Sequence, residues 1–210
     1  MTTAYAVELE TVETVPATLP AVELRNALSA CLLAADKDKF ALPVLHAVHV
    51  EKLGSELTFS ATDRYRMVRV TVKLTDAPAG DHDSWATLIG VPDVKRIVTV
   101  LPKSSNRYGD PEPASIVPGA LMISGVGSLT FEPVEGEFPK VDNVIPTETN
   151  ATETFGFRPS QLADLAKMPG FGKNDGVHFT FNGAGKPARA TWGTDEVSYV
   201  YVVMPVRLPE

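Results

Sequence analysis

One arrangement recurs three times along this chain and limits its folding more than any other feature. An extended segment runs into a proline, a helical apolar stripe follows, and strand-like alternating segments come after it. The prolines, Pro20, Pro92 and Pro159, stand about 70 residues apart. Each suits the first turn of a helix, where a missing N–H leaves no bond unmade. In the first unit Leu24, Ala27, Leu28, Cys31, Leu32 and Ala35 fall at helical spacing, opposite Arg25, Asn26 and Ser29. Beyond Pro43, Val48 and Val50 alternate with Ala47, His49 and Glu51, and Leu57, Phe59 and Ala61 alternate with Thr58, Ser60 and Thr62. Val68, Val70 and Val72 then alternate with Arg69, Thr71 and Lys73. The pattern predicts one helix and three half-buried strands.

The second unit repeats the plan. Trp85 to Ile89 reads as a strand, and Val94, Ile97, Val98 and Leu101 form the stripe of a short helix that Pro102 ends. Lys103 to Ser115, rich in turn residues, reads as a loop with no assigned role, and strands follow at Ala120 to Ser124 and Ser128 to Pro133. The third unit opens at Thr154-Phe155-Gly156-Phe157, has a stripe of Leu162, Leu165 and Ala166, and ends with strands near 177–181, 188–192 and 197–206. The polar segment Thr147 to Glu153 is the expected boundary, dividing a domain of two units at 1–146 from a third unit at 152–210. Repeated β-α-β-β-β units predict an α+β fold, with antiparallel sheets and helices gathered on one face.

Composition excludes several classes. The net charge of −7 argues against tight non-specific nucleic-acid binding, which needs a surplus of Lys and Arg, so any DNA contact requires a local basic face. No apolar run reaches the ~18 residues that span a bilayer, and Met1-Thr2-Thr3-Ala4-Tyr5 lacks a basic, apolar signal pattern, so a cytoplasmic chain is expected. Cys31 is the single cysteine, which rules out an intrachain disulfide and a thiolate metal cluster; on its apolar stripe it reads as a buried, inert thiol. His46, His49, His82 and His178 have no metal-protease spacing, and no P-loop, Rossmann glycine pattern or nucleophile elbow occurs. Gly125-Val126-Gly127 and Gly183-Ala184-Gly185 read as hairpin turns, and Glu135 and Glu137 as solvated loop carboxylates. Neither catalysis, nor a metal, nor a cofactor is expected.

Two segments carry a family resemblance. Ala61-Thr62-Asp63-Arg64-Tyr65-Arg66-Met67 and Tyr201-Val202-Val203-Met204-Pro205-Val206-Arg207-Leu208 resemble signatures of the bacterial β sliding clamp. Leu24 to Val72 resembles the first half of that family's middle domain, and Trp85 to Pro146 its second half. Glu137-Phe138-Pro139 with Val144-Ile145-Pro146 is similar to the link leaving that domain, and Thr154 to Leu208 resembles only the second half of the last one.

The resemblance implies a non-catalytic processivity factor with a groove for short peptides of the DNA polymerase and the clamp loader. Leu45, Met67, Val144, Val202, Val203 and Met204 would line it, beside Pro139 and Pro205, while Thr62, Arg64, Tyr65, Arg66, Arg207 and Leu208 would form its border. Taken without the resemblance, the same residues read as core strand residues and solvated arginines. Asp142 and Asn143 depart from the basic residues frequent there, and the chain continues to Pro209 and Glu210, which leaves peptide preference open.

The resemblance also implies helices facing double-stranded DNA, with Arg25, Lys95, Arg96, Lys103, Lys167 and Lys173 touching phosphates without reading sequence. Those positions read equally well as solvated helix faces. The family ring holds twelve such units, so three per chain imply a homo-oligomer of four, the third unit pairing with its counterpart in another chain. The alternative is a non-encircling peptide-binding protein that competes with or redirects replication partners, as a phage or mobile element would use.

Overall fold

The computed structural model describes residues 14–38, 40–74, 84–103, 112–145, 156–171, 175–181, 183 and 185–206. The elements run in the expected order. The first unit comprises β1 (Ala17–Pro20), α1 (Ala21–Ala34), β2 (Ala47–Leu53), β3 (Glu56–Thr62) and β4 (Arg66–Lys73). The second comprises β5 (Ser84–Gly90), α2 (Val91–Val100), β6 (Pro113–Val117), β7 (Ala120–Ile123) and β8 (Gly127–Thr130). A short 3-10 turn at Val141–Val144 precedes the third, made of α3 (Pro159–Leu165), β9 (His178–Thr180), β10 (Ala188–Gly193) and β11 (Val197–Val203). The prolines mark the helix starts: Pro20 caps α1, while Pro92 and Pro159 lie within the first two positions of α2 and α3.

The first two units complete each other. One sheet has the order β1-β6-β7-β8, and the other contains β5-β2-β3-β4, so each unit lends its leading strand to the other's sheet. Exchanging the labels of the two units converts one order into the other, which is an internal two-fold. The third unit extends the second sheet: β11 pairs antiparallel with β4 from Val197 opposite Val72 to Val203 opposite Arg66, giving the order β5-β2-β3-β4-β11-β10-β9.

The α1 stripe behaves as its spacing requires. Leu24, Ala27, Leu28 and Cys31 are fully buried, with Ala30 and Ala34 beside them, and the small residues let α1 lie close on β3, β4 and α2. Burying each larger side chain contributes about 1.5–3 kcal/mol, and Val48, Val50, Leu57, Phe59, Val68 and Val70 meet α1 from the sheet.

Two expectations need correction. The loop expected at 103–115 ends earlier, because Pro113 begins β6 and Ala114 and Ile116 alternate into the core against Leu121 and Ile123. In α3 the buried residues are Gln161, Asp164 and Leu165, whereas Leu162 and Ala166 of the expected stripe are exposed. In this orientation Asp164 faces β4 and pairs with Arg66, which places the exposed Leu162 on another side of the helix. The proposed boundary at 147–153 lies outside the described residues.

Candidate peptide-binding groove

The turn joining β3 to β4 is built by its own side chains. Thr62 Oγ1 donates to the Arg66 carbonyl (2.8 Å) and accepts the Arg64 N–H (3.1 Å). Asp63 Oδ1 accepts the N–H groups of Tyr65 (3.1 Å) and Arg66 (3.0 Å). Asp and Thr hold tight turns in this way because their short side chains reach backbone two or three residues ahead. Arg64 takes a left-handed conformation, φ 75°, and the turn leaves Arg64 and Tyr65 exposed.

This turn meets the end of β11 directly. Met67 stands opposite Val202 and Arg66 opposite Val203, and the Met204 N–H donates to the Tyr65 carbonyl (2.9 Å). A third segment lies over the same place. Val141 packs with Met67 and Val202 in a small buried cluster, bordered by Phe138, Ile145 and Val200, on the opposite side of the sheet from the main core. The segment is anchored twice: Asp142 pairs with Arg69 (2.5 Å), and Phe138 stacks on His49 with centroids 4.9 Å apart. Arg69 holds the Asp142 carboxyl below the usual carboxylate range. His49 is shifted down, chiefly by burial, which keeps its ring neutral near pH 7. Beside this cover a cavity of about 460 Å3 opens, with Glu51, Thr87 and Lys140 among its walls.

The expected groove residues therefore divide. Met67 and Val202 share the outer apolar cluster, with Met204 and Pro205 half-buried at its end. Val203 instead points into the main core, since successive strand residues face opposite sides. Arg66 is no rim residue: its side chain is 10% exposed and is held between Asp63 (3.0 Å) and Asp164. Burial raises the Asp164 carboxyl, but the Arg66 and Lys167 contacts outweigh it and leave the group below its ordinary value. Thr62 is buried by its turn bonds, and Leu45 is buried before β2, its carbonyl accepting the Asp36 N–H (3.0 Å). Pro139 is exposed at the foot of the covering segment. Val144 closes the 3-10 turn, and Arg207 and Leu208 lie outside the described residues. The sequence reading took Phe138 only as part of the Glu137-Phe138-Pro139 link and singled out neither Val141 nor Asp164 as a site residue. Only the Asp63–Arg66 spacing hinted at the charge network, and nothing local foretold Asp164, 98 positions from Arg66.

The basic positions divide as well. Arg25 reaches the end of α2, donating to the carbonyls of Val98 and Leu101 (3.0 Å to Leu101); such terminal carbonyls have no partner within their own helix. Arg96 pairs with Asp93 (3.0 Å) and donates to the Thr130 carbonyl, and Lys167 pairs with Asp164 (3.1 Å). Lys95 and Lys103 are exposed, and Lys173 lies outside the described residues.

Paired units of this topology, joined edge to edge through β4 and β11, define the DNA-clamp class of fold. The comparisons with known proteins agree. The chain is 35% identical over 131 residues to the beta sliding clamp of Micrococcus luteus, covering 61% of this chain and 40% of that protein. It is 29% identical over 192 residues to the beta sliding clamp of a Synechocystis strain, covering 84% of this chain and 47% of that one. It superimposes on the DNA polymerase sliding clamp of Bacillus subtilis with a TM-score of 0.73 at 16% identity, covering 98% of this chain and 67% of that one. A sliding clamp from Pseudomonas aeruginosa, solved bound to griselimycin, gives a TM-score of 0.74 at 16% identity over 97% of this chain and 68% of that one. No family model matches. The chain is a partial-length, β-clamp-like protein, spanning less than half the length of these two curated relatives.

Proposed function

We propose that the chain is a clamp-like processivity factor: it captures a short peptide of a DNA polymerase or clamp loader at the β4–β11 junction, and its oligomer encloses duplex DNA. Dissociation of the polymerase is then converted into sliding, because the tether keeps its local concentration high. One observation carries the reading. The turn at 62–67 and the chain end at 202–204, distant in sequence, are hydrogen-bonded neighbours beside an apolar cluster that a third segment covers. Exposed Tyr65 and half-buried Met204 give such a site an aromatic edge and a pliable apolar wall. Catalysis has no part in this activity, and it needs no cofactor. Among the described residues no helix is long and apolar enough to cross a membrane, and the proposed place of action is the cytoplasm.

The DNA contact is proposed to be loose and sequence-independent. Lys95 and Lys103 are its foremost candidates, since Arg25, Arg96 and Lys167 already hold protein partners. The test has two arms. Met204→Ala and Tyr65→Ala are expected to weaken polymerase-peptide binding by about tenfold or more, the scale of a truncated interface anchor. Unchanged affinity in both removes the groove. Retention on nicked circular DNA with loss from linear DNA is expected of the ring; peptide binding without such retention removes encirclement and leaves the docking site.

A further inference from the structure

A small polar cavity of about 180 Å3 lies where the first unit meets the third, with Lys37, Tyr65, Arg158 and Gln161 among its walls. Its charges do not cancel. Arg66, which also reaches it, is held between Asp63 and Asp164, and Asp164 receives Lys167 as well, so both carboxylates are already engaged. Lys37 and Arg158 are exposed, and neither pairs with a carboxylate among the described residues. The Asp36 and Asp38 carboxylates that flank Lys37 accept the N–H groups of Asp38 (3.0 Å) and Phe40 (2.9 Å). Arg158 lies over the Tyr65 ring, 6.0 Å from its centroid, a placement that steadies the guanidinium while leaving its N–H groups free to donate.

A second feature points to a ligand. Gln161 is only 7% exposed, and its side-chain Oε1 is buried without a hydrogen bond among the described residues. Its backbone carbonyl is satisfied by the Tyr201 hydroxyl (3.0 Å). A buried acceptor left unpaired is costly, and a carboxylate, which carries no proton near pH 7, cannot relieve it. The cavity therefore calls for a ligand that presents an N–H donor to Gln161 and a negative group to Lys37 and Arg158. An acidic residue within a peptide presents both. The volume agrees, since about 180 Å3 falls below the ~300–1,000 Å3 of a site for a whole small molecule and suits one residue of a longer chain. Tyr65 ties the cavity to the β4–β11 junction, because its carbonyl accepts the Met204 N–H (2.9 Å).

We propose that this cavity reads a carboxylate-bearing residue of the docked peptide, the carboxylate meeting Lys37 and Arg158 and the backbone N–H of that residue donating to Gln161 Oε1. The inference rests on the peptide-docking reading and adds the charge that the partner segment must carry. General attraction does not produce such a preference, because the chain as a whole is acidic, with a net charge of −7.

Positional-scanning libraries of N-acetylated hexapeptides, one with amidated and one with free carboxyl termini, test it on the full chain. At one position Asp or Glu is expected to be preferred over Asn or Gln by about fivefold or more. Preference in the amidated library assigns a side-chain carboxylate, and preference confined to the free-acid library assigns the terminal one. The best acidic peptide and its neutral counterpart are then titrated by fluorescence polarisation. Arg158→Gln and Lys37→Gln are each expected to lower the acid-over-neutral ratio by about twofold or more, and the double variant to bring it near one. Lys73→Gln, the same change of net charge at the far end of β4, preserves the ratio. Lys37 and Arg158 are exposed, so their variants keep the fold, which circular dichroism verifies. Gln161→Leu is expected to weaken both peptides, since both donate the same N–H; undiminished binding overturns the assigned acceptor. Met204→Ala is expected to weaken both by a common factor and leave the ratio intact. Peptides bound equally well whether acidic or neutral overturn the inference and leave the docking site standing, whereas a chain that binds no library peptide removes both.

Discussion

Removing the charge of Asp164 probes the joint between the first and third units. Both members of its pair with Arg66 are nearly buried, at 10% and 11% side-chain exposure, and Asp164 also receives Lys167. Breaking a buried pair by deleting one partner is worth roughly 3–5 kcal/mol, because the other charge is left without compensation. Here Asp63 remains 3.0 Å from Arg66 and offsets part of that loss. Asp164→Asn, which keeps the shape, is therefore expected to cost about 2 kcal/mol. With a urea slope of about 2–3 kcal/mol per molar, the unfolding midpoint falls by about 0.7–1 M at pH 7.

The pH dependence carries a sign. The folded carboxyl titrates below its ordinary value, so its stabilisation is fully present above the unfolded value of about 3.9 and is lost as pH falls through the lower folded value. The gap between wild type and variant should stay constant from pH 6 to 8 and close in acid. A midpoint change below ~0.2 M at pH 7, or a gap that persists undiminished in acid, refutes the assignment of Asp164 as a charged tie between units.

Two further outcomes are expected. Gly193 ends β10 at φ 127°, and a Cβ there would lie 2.1 Å from the Val197 carbonyl oxygen; Gly193→Ala should lower the melting temperature by about 4–8 °C, from a loss near 2 kcal/mol, and no shift would show that the hairpin relaxes freely. Burial pushes the Cys31 thiol up, so a disulfide reagent at pH 8 should label it only as the protein unfolds; prompt labelling of the folded protein would contradict its burial.

Much of the fold was legible in the sequence because the signals involved are local. A proline at a helix start, the α1 stripe from Leu24 to Cys31 and the alternation of Val68, Val70 and Val72 each require only neighbours along the chain, and each element formed where those signals lie. The candidate site was legible in part. The turn chemistry of Thr62 and Asp63 is local, whereas the cover of Met67 by Val141 is not. Val203 was misplaced although its alternation with Val202 already put the two on opposite faces.

What the sequence by itself determined is the list of units, their order and the side of each strand that is apolar, since periodicity is written into the residues. Tertiary structure alone decided which strands became neighbours. The pairing of β4 with β11 joins residues more than a hundred positions apart, and the ladder between them is made of backbone groups that every residue except proline carries. Tertiary packing likewise brought Asp164 of α3 to Arg66 and Arg25 of α1 to the end of α2. Such outcomes depend on distances between segments, for which a one-dimensional pattern holds no term.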